Sequence, residues 1–157
     1  FDGKQFVNTA TNNIDLDSEE QKEQLKKENE NYKDMFEIMK QAISNDVQGV
    51  RFTHRLKTHP VCLVSEGNIS IEMEKVINAM PDNQNIKATT FLEINENHPI
   101  VDKLKDLYNN DKETLKDYTK VLYSQARLIE GLTVENPTEL SNLICEIITG
   151  TELNSEN

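Results

Sequence analysis

ATTFLEINENHPIVDKLKDL, Ala88 to Leu107, turns an apolar strand directly into an amphipathic helix, and the rest of the chain reads outward from that joint. Thr89, Thr90, Phe91, Leu92 and Ile94 suit a pleated, half-buried strand, and the polar Asn95-Glu96-Asn97 ends the run. Pro99 is expected as the first helical residue, where its missing N–H removes no helix bond because first-turn donors have no partner within the helix. Ile100, Val101, Leu104, Leu107 and Tyr108 follow at helical spacing. Upstream of the joint the pattern is sheet with covering helices; downstream it is helix alone.

Just upstream lies GNISIEMEKVINAMP, Gly67 to Pro81, with Asn68 or Ser70 as the candidate N-cap. Ile69, Met73, Val76, Ile77 and Met80 form one stripe at i, i+4, i+7, i+8 and i+11, with Glu72, Glu74, Lys75 and Asn78 off it. The stripe packs on the sheet or stays partly exposed as an adaptable surface, for which unbranched Met is suited; spacing leaves both open. Earlier still, VQGVRFTHRL from Val47 alternates through Val50 and Phe52, and the continuous apolar run Val61–Val64 predicts a strand covered on both faces, hence central. A small sheet of about three strands results, which helices must cover. From Ser18 a long helix is expected, capped by Ser18 with Gln21, solvated in its first half and packed through Tyr32, Met35, Phe36, Met39 and Ile43 before stopping near Asn45-Asp46.

Downstream, Asp111 is placed to cap a helix with apolar positions Leu115, Tyr118, Val121, Leu122, Ala126, Leu128 and Ile129, ended by Gly131. Asn136-Pro137-Thr138-Glu139 opens the last helix with a cap, a proline at the first position and a glutamate at the third. Leu140, Leu143, Ile144, Cys145, Ile147 and Ile148 cover roughly 200° of that helix, against the ~100° a surface helix needs. Either the helix is sandwiched within its own fold, or the spare face joins a second copy in a twofold four-helix bundle.

The 157 residues suit one domain with a real core, and the formal net charge of −11 opposes nucleic acid, whose binding needs a basic field. Cys62 and Cys145 stand apart in apolar company and read as reduced thiols of a cytoplasmic protein. No apolar run approaches the roughly 20 residues that span a bilayer, and no signal peptide opens the chain, so no membrane partner is expected. The first residue is Phe, which points to a piece of a longer polypeptide, with FDGKQFVNTA as a short strand or a domain exit and Glu152–Asn157 as a tail. No phosphate loop, nucleophile elbow or His/Cys ligand spacing occurs, and His54, His59 and His98 have neither an adjacent acid nor a cysteine at ligand spacing; no catalytic residue and no metal site is expected.

RLKTHPVCLV at Arg55–Val64, NISIEMEKVINAM at Asn68–Met80, FLEINENHPIV at Phe91–Val101 and ARLIEGLTVENPTEL at Ala126–Leu140 together resemble the C-terminal domain of the heat-shock-protein-90 chaperones, most nearly the bacterial form. The resemblance implies residues 1–12 as a junction from a middle domain and 13–157 as a C-terminal dimerisation domain. It implies a homodimeric, ATP-driven chaperone whose ATP and Mg site lies in a separate N-terminal domain, leaving this segment without enzyme activity or cofactor. Leu115, Tyr118, Leu122, Ala126 and Ile129 with Leu140, Leu143, Ile144, Ile147 and Ile148 are thereby assigned to the intersubunit bundle. Ile69, Met73, Val76, Ile77 and Met80 are assigned to contact with partly unfolded clients, although no aromatic is among them. Eukaryotic cytosolic members end in Met-Glu-Glu-Val-Asp, whereas this chain ends LNSEN, so co-chaperone docking through a C-terminal peptide is expected to be absent. The alternative is a monomeric α+β regulatory or ligand-binding module whose last helix packs internally.

Overall fold

The computed structural model describes residues 19–43, 47–82 and 86–150, which run α1 (Glu19–Asn31), α2 (Lys33–Ala42), β1 (Gly49–Thr53), β2 (Val61–Ser65), α3 (Ile71–Asn78), β3 (Thr90–Asn95), α4 (Ile100–Asn110), α5 (Lys112–Ile129) and α6 (Pro137–Thr149). The expected junction at 1–12, the Ser18 cap, the stop at Asn45-Asp46 and the tail from Glu152 lie outside these residues. The α+β class with a three-stranded sheet is as the patterning predicts.

The order within the sheet is not. It is β1-β3-β2, with β1 parallel and β2 antiparallel to β3, so Val61–Val64 forms an edge and β3 is central. The register explains the difference. Val50, Leu92 and Leu63 make one cross-strand row and Phe52, Ile94 and Val61 the next, all buried on the helix-covered face. On the other face Cys62 and Val64 are only half-buried, whereas β3 buries Glu93 and Asn95 as well. Those polar groups are matched. Glu93 Oε1 accepts from Arg51 Nε and Nη2 at 3.0 and 2.8 Å, and Asn95 Nδ2 donates to the His59 carbonyl at 3.2 Å. A buried carboxylate or amide is tolerated on such terms and costs several kcal/mol without them, on the order of 2–7 for a neutral amide.

The expected single helix from Ser18 is two. At Tyr32 the backbone turns to φ −104°, ψ 16°, while Phe36 N–H still donates to the Tyr32 carbonyl at 3.0 Å. The break docks the helix end on β1. Tyr32 meets Phe52 edge-on at 6.0 Å, and the Lys105 ammonium lies 4.6 Å from the Tyr32 ring centre while pairing with Glu28 at 3.2 Å. α1 itself buries nothing; α2 buries Met35, Phe36 and Met39.

At the strand–helix joint, α4 runs from Ile100 with Pro99 as its N-cap, one residue later than expected, though Pro99 is already helical at φ −55°, ψ −22°. His98 Nδ1 accepts from Ile100 N–H at 3.1 Å and the His98 carbonyl from Val101 N–H at 3.0 Å. α5 begins at the Asp111 cap, whose carboxyl is held below its ordinary pKa by the Thr114 hydroxyl and then the Thr114 N–H. It packs against α2, β2, α4 and α6, burying Leu115, Thr119, Leu122, Tyr123, Ala126 and Arg127. Gly131, at φ +72°, turns the chain out of α5 in a conformation that a side chain disfavours. α6 opens as expected, with the Asn136 side chain accepting Glu139 N–H at 3.1 Å and Pro137 in the first turn.

Candidate interaction surfaces

α3 is short, and what anchors it decides which face it shows. The Ser70 hydroxyl accepts Met73 N–H at 3.1 Å and sets the helix start. Ile71 then enters the core, and the buried Glu74 accepts Ala88 N–H through Oε2 at 2.8 Å, satisfying a backbone donor just ahead of β3. With Ile71 and Glu74 inward, the opposite side must face out at ~100° per residue. Met73, Val76 and Met80 are 47, 59 and 53% exposed, Ile77 is half-buried, and Ile69, ahead of the cap, packs partly on the core. Of the two readings that spacing left open, exposure is the observed one for Met73, Val76 and Met80.

The residues assigned to a bundle divide into three groups. Leu115, Leu122 and Ala126 are 0, 4 and 0% exposed, enclosed in the chain's own core. Leu143 is buried, and Tyr118, Leu140 and Ile147 are half-buried between α5 and α6. Ile129, Ile144 and Ile148 are exposed, Ile148 at 76%, and Leu128, which the sequence reading left unassigned, joins them at 58%. Lys120 pairs with Glu139 at 3.4 Å and Tyr118 shares a groove with Ile147, so α6 runs back along α5. Ile144 and Ile148 are thus brought onto one stripe, while Ile129 sits at the far end of α5, roughly 16 Å of helix from Tyr118 at 1.5 Å per residue.

The described residues hold no group of three or more His, Cys, Asp or Glu arranged for a metal ion, and no helix among them is long and apolar enough to cross a membrane. His54 is bound to Glu96 at the ends of β1 and β3, a contact that joins strands rather than exposing a base. Cys62 is half-buried beside Glu93, and burial, then the Glu93 charge, pushes its thiol up to about 11; Cys145 is exposed on α6. The large apolar residues exposed among the described residues are Met73, Val76 and Met80 at α3, Leu128 and Ile129 on α5 and Ile144 and Ile148 on α6.

The family model described as Hsp90 protein matches residues 1–156. The chain belongs to the Hsp90 family. It is 46% identical over 148 residues to the chaperone protein HtpG of Bacillus subtilis, covering 94% of this chain and 24% of that one. It is 50% identical over 145 residues to chaperone protein HtpG of Clostridium botulinum, covering 92% and 23%, and 47% identical over 145 residues to that of Clostridium perfringens, with the same shares. The chain thus spans about a quarter of the length of these Hsp90 relatives.

One feature of this Hsp90-family chain was missed in the sequence. Arg127, Lys75 and Lys87 come from three separate segments and line one cavity. The available signal was Arg127 itself, a charge embedded in the apolar pattern of α5.

Proposed function

We propose that this chain is the homodimerisation and client-contact segment of a cytoplasmic, ATP-dependent chaperone of the Hsp90 family. The observation that carries the reading is the exposure of Ile144 and Ile148 on one stripe of α6, with Leu128 and Ile129 exposed at the far end of α5, in a chain that closes a substantial core of its own without them. Scattered single apolar residues on a surface are ordinary, whereas a stripe on one helix beside a second helix suits a twofold partner. Leu115, Leu122 and Ala126 hold α5 on its own fold; Ile129, Ile144 and Ile148 form the seam, flanked by Tyr118, Leu140, Leu143 and Ile147. The product is an intersubunit four-helix bundle.

Joined there, two protomers hold their remaining domains at an effective concentration of roughly millimolar order, so nucleotide-driven closure of the distal parts becomes intramolecular. ATP and Mg bind in a part of the parent outside this chain, and the segment itself is not an enzyme. Met73, Val76 and Met80, with Ile69 and Ile77 at the margin, contact partly unfolded clients.

A second reading, a monomeric α+β module, draws on the complete burial of Leu115 and Ala126 within one chain. Light scattering from about 50 μM down to tens of nanomolar, a range bracketing weak and obligate interfaces, separates the two. A mass of twice the chain that persists on dilution supports the dimer; a monomer throughout supports the module.

A further inference from the structure

We propose that the cavity beside α3 receives a carboxylate of the bound client, so that this surface selects apolar segments flanked by aspartate or glutamate. The inference rests on the client-contact reading of α3 and names the chemistry of what α3 takes.

The cavity, about 730 Å³, lies between α3 and the connection from α5 to α6. Arg127 is in its wall and 9% exposed; Nε donates to the Thr133 carbonyl at 2.8 Å and Nη1 to the Tyr123 hydroxyl at 3.1 Å, two neutral oxygens. Lys75 reaches over Gly131, where a β-carbon would stand 3.8 Å from its Nζ. Lys75 Nζ also pairs with Glu72 Oε1 at 3.3 Å, an i,i+3 pair whose carboxylate is largely exposed and so readily exchanged. Glu74, the acid deepest in the cavity wall, already serves Ala88 N–H.

A carboxylate is stabilised at this place within the chain itself. Glu135 Oε1 sits 2.7 Å from Lys87 Nζ, and its carboxyl is held below the ordinary range by that hydrogen bond and charge, with a smaller contribution from Arg127. Both partners are more than half exposed, so an incoming acid can replace Glu135 at little cost. The chain as a whole, at −11, repels an acidic ligand, whereas the cavity lining sets Lys75, Lys87 and Arg127 against Glu74 and Glu135 and is the favourable seat. The placement completes the argument. Lys75 and Ala79 flank the stripe of Met73, Val76 and Met80 on α3, so a segment crossing that stripe carries its next residues over the cavity.

The test uses two fluorescently labelled peptides with one apolar sequence, flanked either by Asp and Glu or by Asn and Gln, titrated by anisotropy against the full chain. The chain should prefer the acidic peptide by about 3- to 10-fold at low salt, the range expected of two rim ion pairs, and the preference should shrink at high salt. The Lys75→Gln/Lys87→Gln double variant should lose the preference while holding the amide peptide as before. Glu135→Gln, which removes the competing carboxylate at Lys87, should widen it, a gain that misfolding does not mimic. Equal affinity of the unmodified chain for both peptides, with Met73→Asp weakening both, overturns the cavity inference and leaves the α3 contact standing; binding of neither peptide overturns both.

Discussion

The Asn29 side chain acts as a strand partner for Phe52: Oδ1 accepts the Phe52 N–H at 2.8 Å, and Nδ2 turns toward the Phe52 carbonyl at 3.5 Å while donating to the Leu25 carbonyl at 3.0 Å. One amide thus closes the outer edge of β1 at Phe52, where a sheet would otherwise offer its backbone to another chain. Asn29→Ala leaves that N–H unpaired. It should lower the unfolding free energy by about 1–3 kcal/mol in urea titrations and raise thioflavin-positive aggregation of the variant.

The buried and exposed parts of α5 and α6 should respond differently to substitution. Leu122→Ala should cost about 2–5 kcal/mol of folding stability whether or not a second copy is bound. Ile148→Asp removes only exposed surface. Its thermal unfolding as a dilute monomer should match the unmodified chain, while sedimentation shows at least a tenfold, order-of-magnitude rise in the dimer dissociation constant, because charge would have to enter an apolar seam. Retention of the dimer by Ile148→Asp would remove that residue from the interface.

Met73→Asp changes an exposed position on the face of α3 opposite Ile71 and Glu74. The far-ultraviolet circular dichroism and melting temperature should stay unchanged, and suppression of aggregation of a partly unfolded client should fall at least several-fold, as expected for loss of a central apolar anchor. Unfolding instead would mean that the stripe supports the core.

Cys62 gives a pH signature. With its thiol pushed up to about 11 from an ordinary 9.0, the folded chain keeps the proton over an interval in which the unfolded chain has released it. Folding is therefore favoured by this group below pH about 9 and loses that contribution as pH rises toward 11. In a Cys145→Ser background, alkylation at pH 8 should be about a hundredfold slower than for an exposed thiol and should become fast in denaturant.

Local grammar carried much of this fold. Asn136-Pro137-Thr138-Glu139, Asp111 and Gly131 each marked a helix boundary because capping chemistry is written in adjacent residues. Strand order was not written that way. Val61–Val64 is apolar enough for a central strand, yet the central place goes to β3, whose burial of Glu93 depends on Arg51, forty-two positions away. The break at Tyr32 escaped for the same reason, since its cause is the Phe52 backbone and ring. At the interaction surface, periodicity gave the stripe on α3 but not its orientation, which Glu74 fixes by serving the Ala88 N–H across fourteen residues.

The placement of β3 between β1 and β2 also dictates timing. β1 and β2 leave the ribosome first, yet they are not neighbours, and each must wait for Thr90–Asn95 to supply its hydrogen bonds. Until that strand emerges, the hydrophobic rows of Val50, Phe52, Val61 and Leu63 have no centre around which to close. The sheet is thus assembled from non-local pairings, the slow and aggregation-exposed kind, so its apolar rows stay open until the last of the three strands has been made.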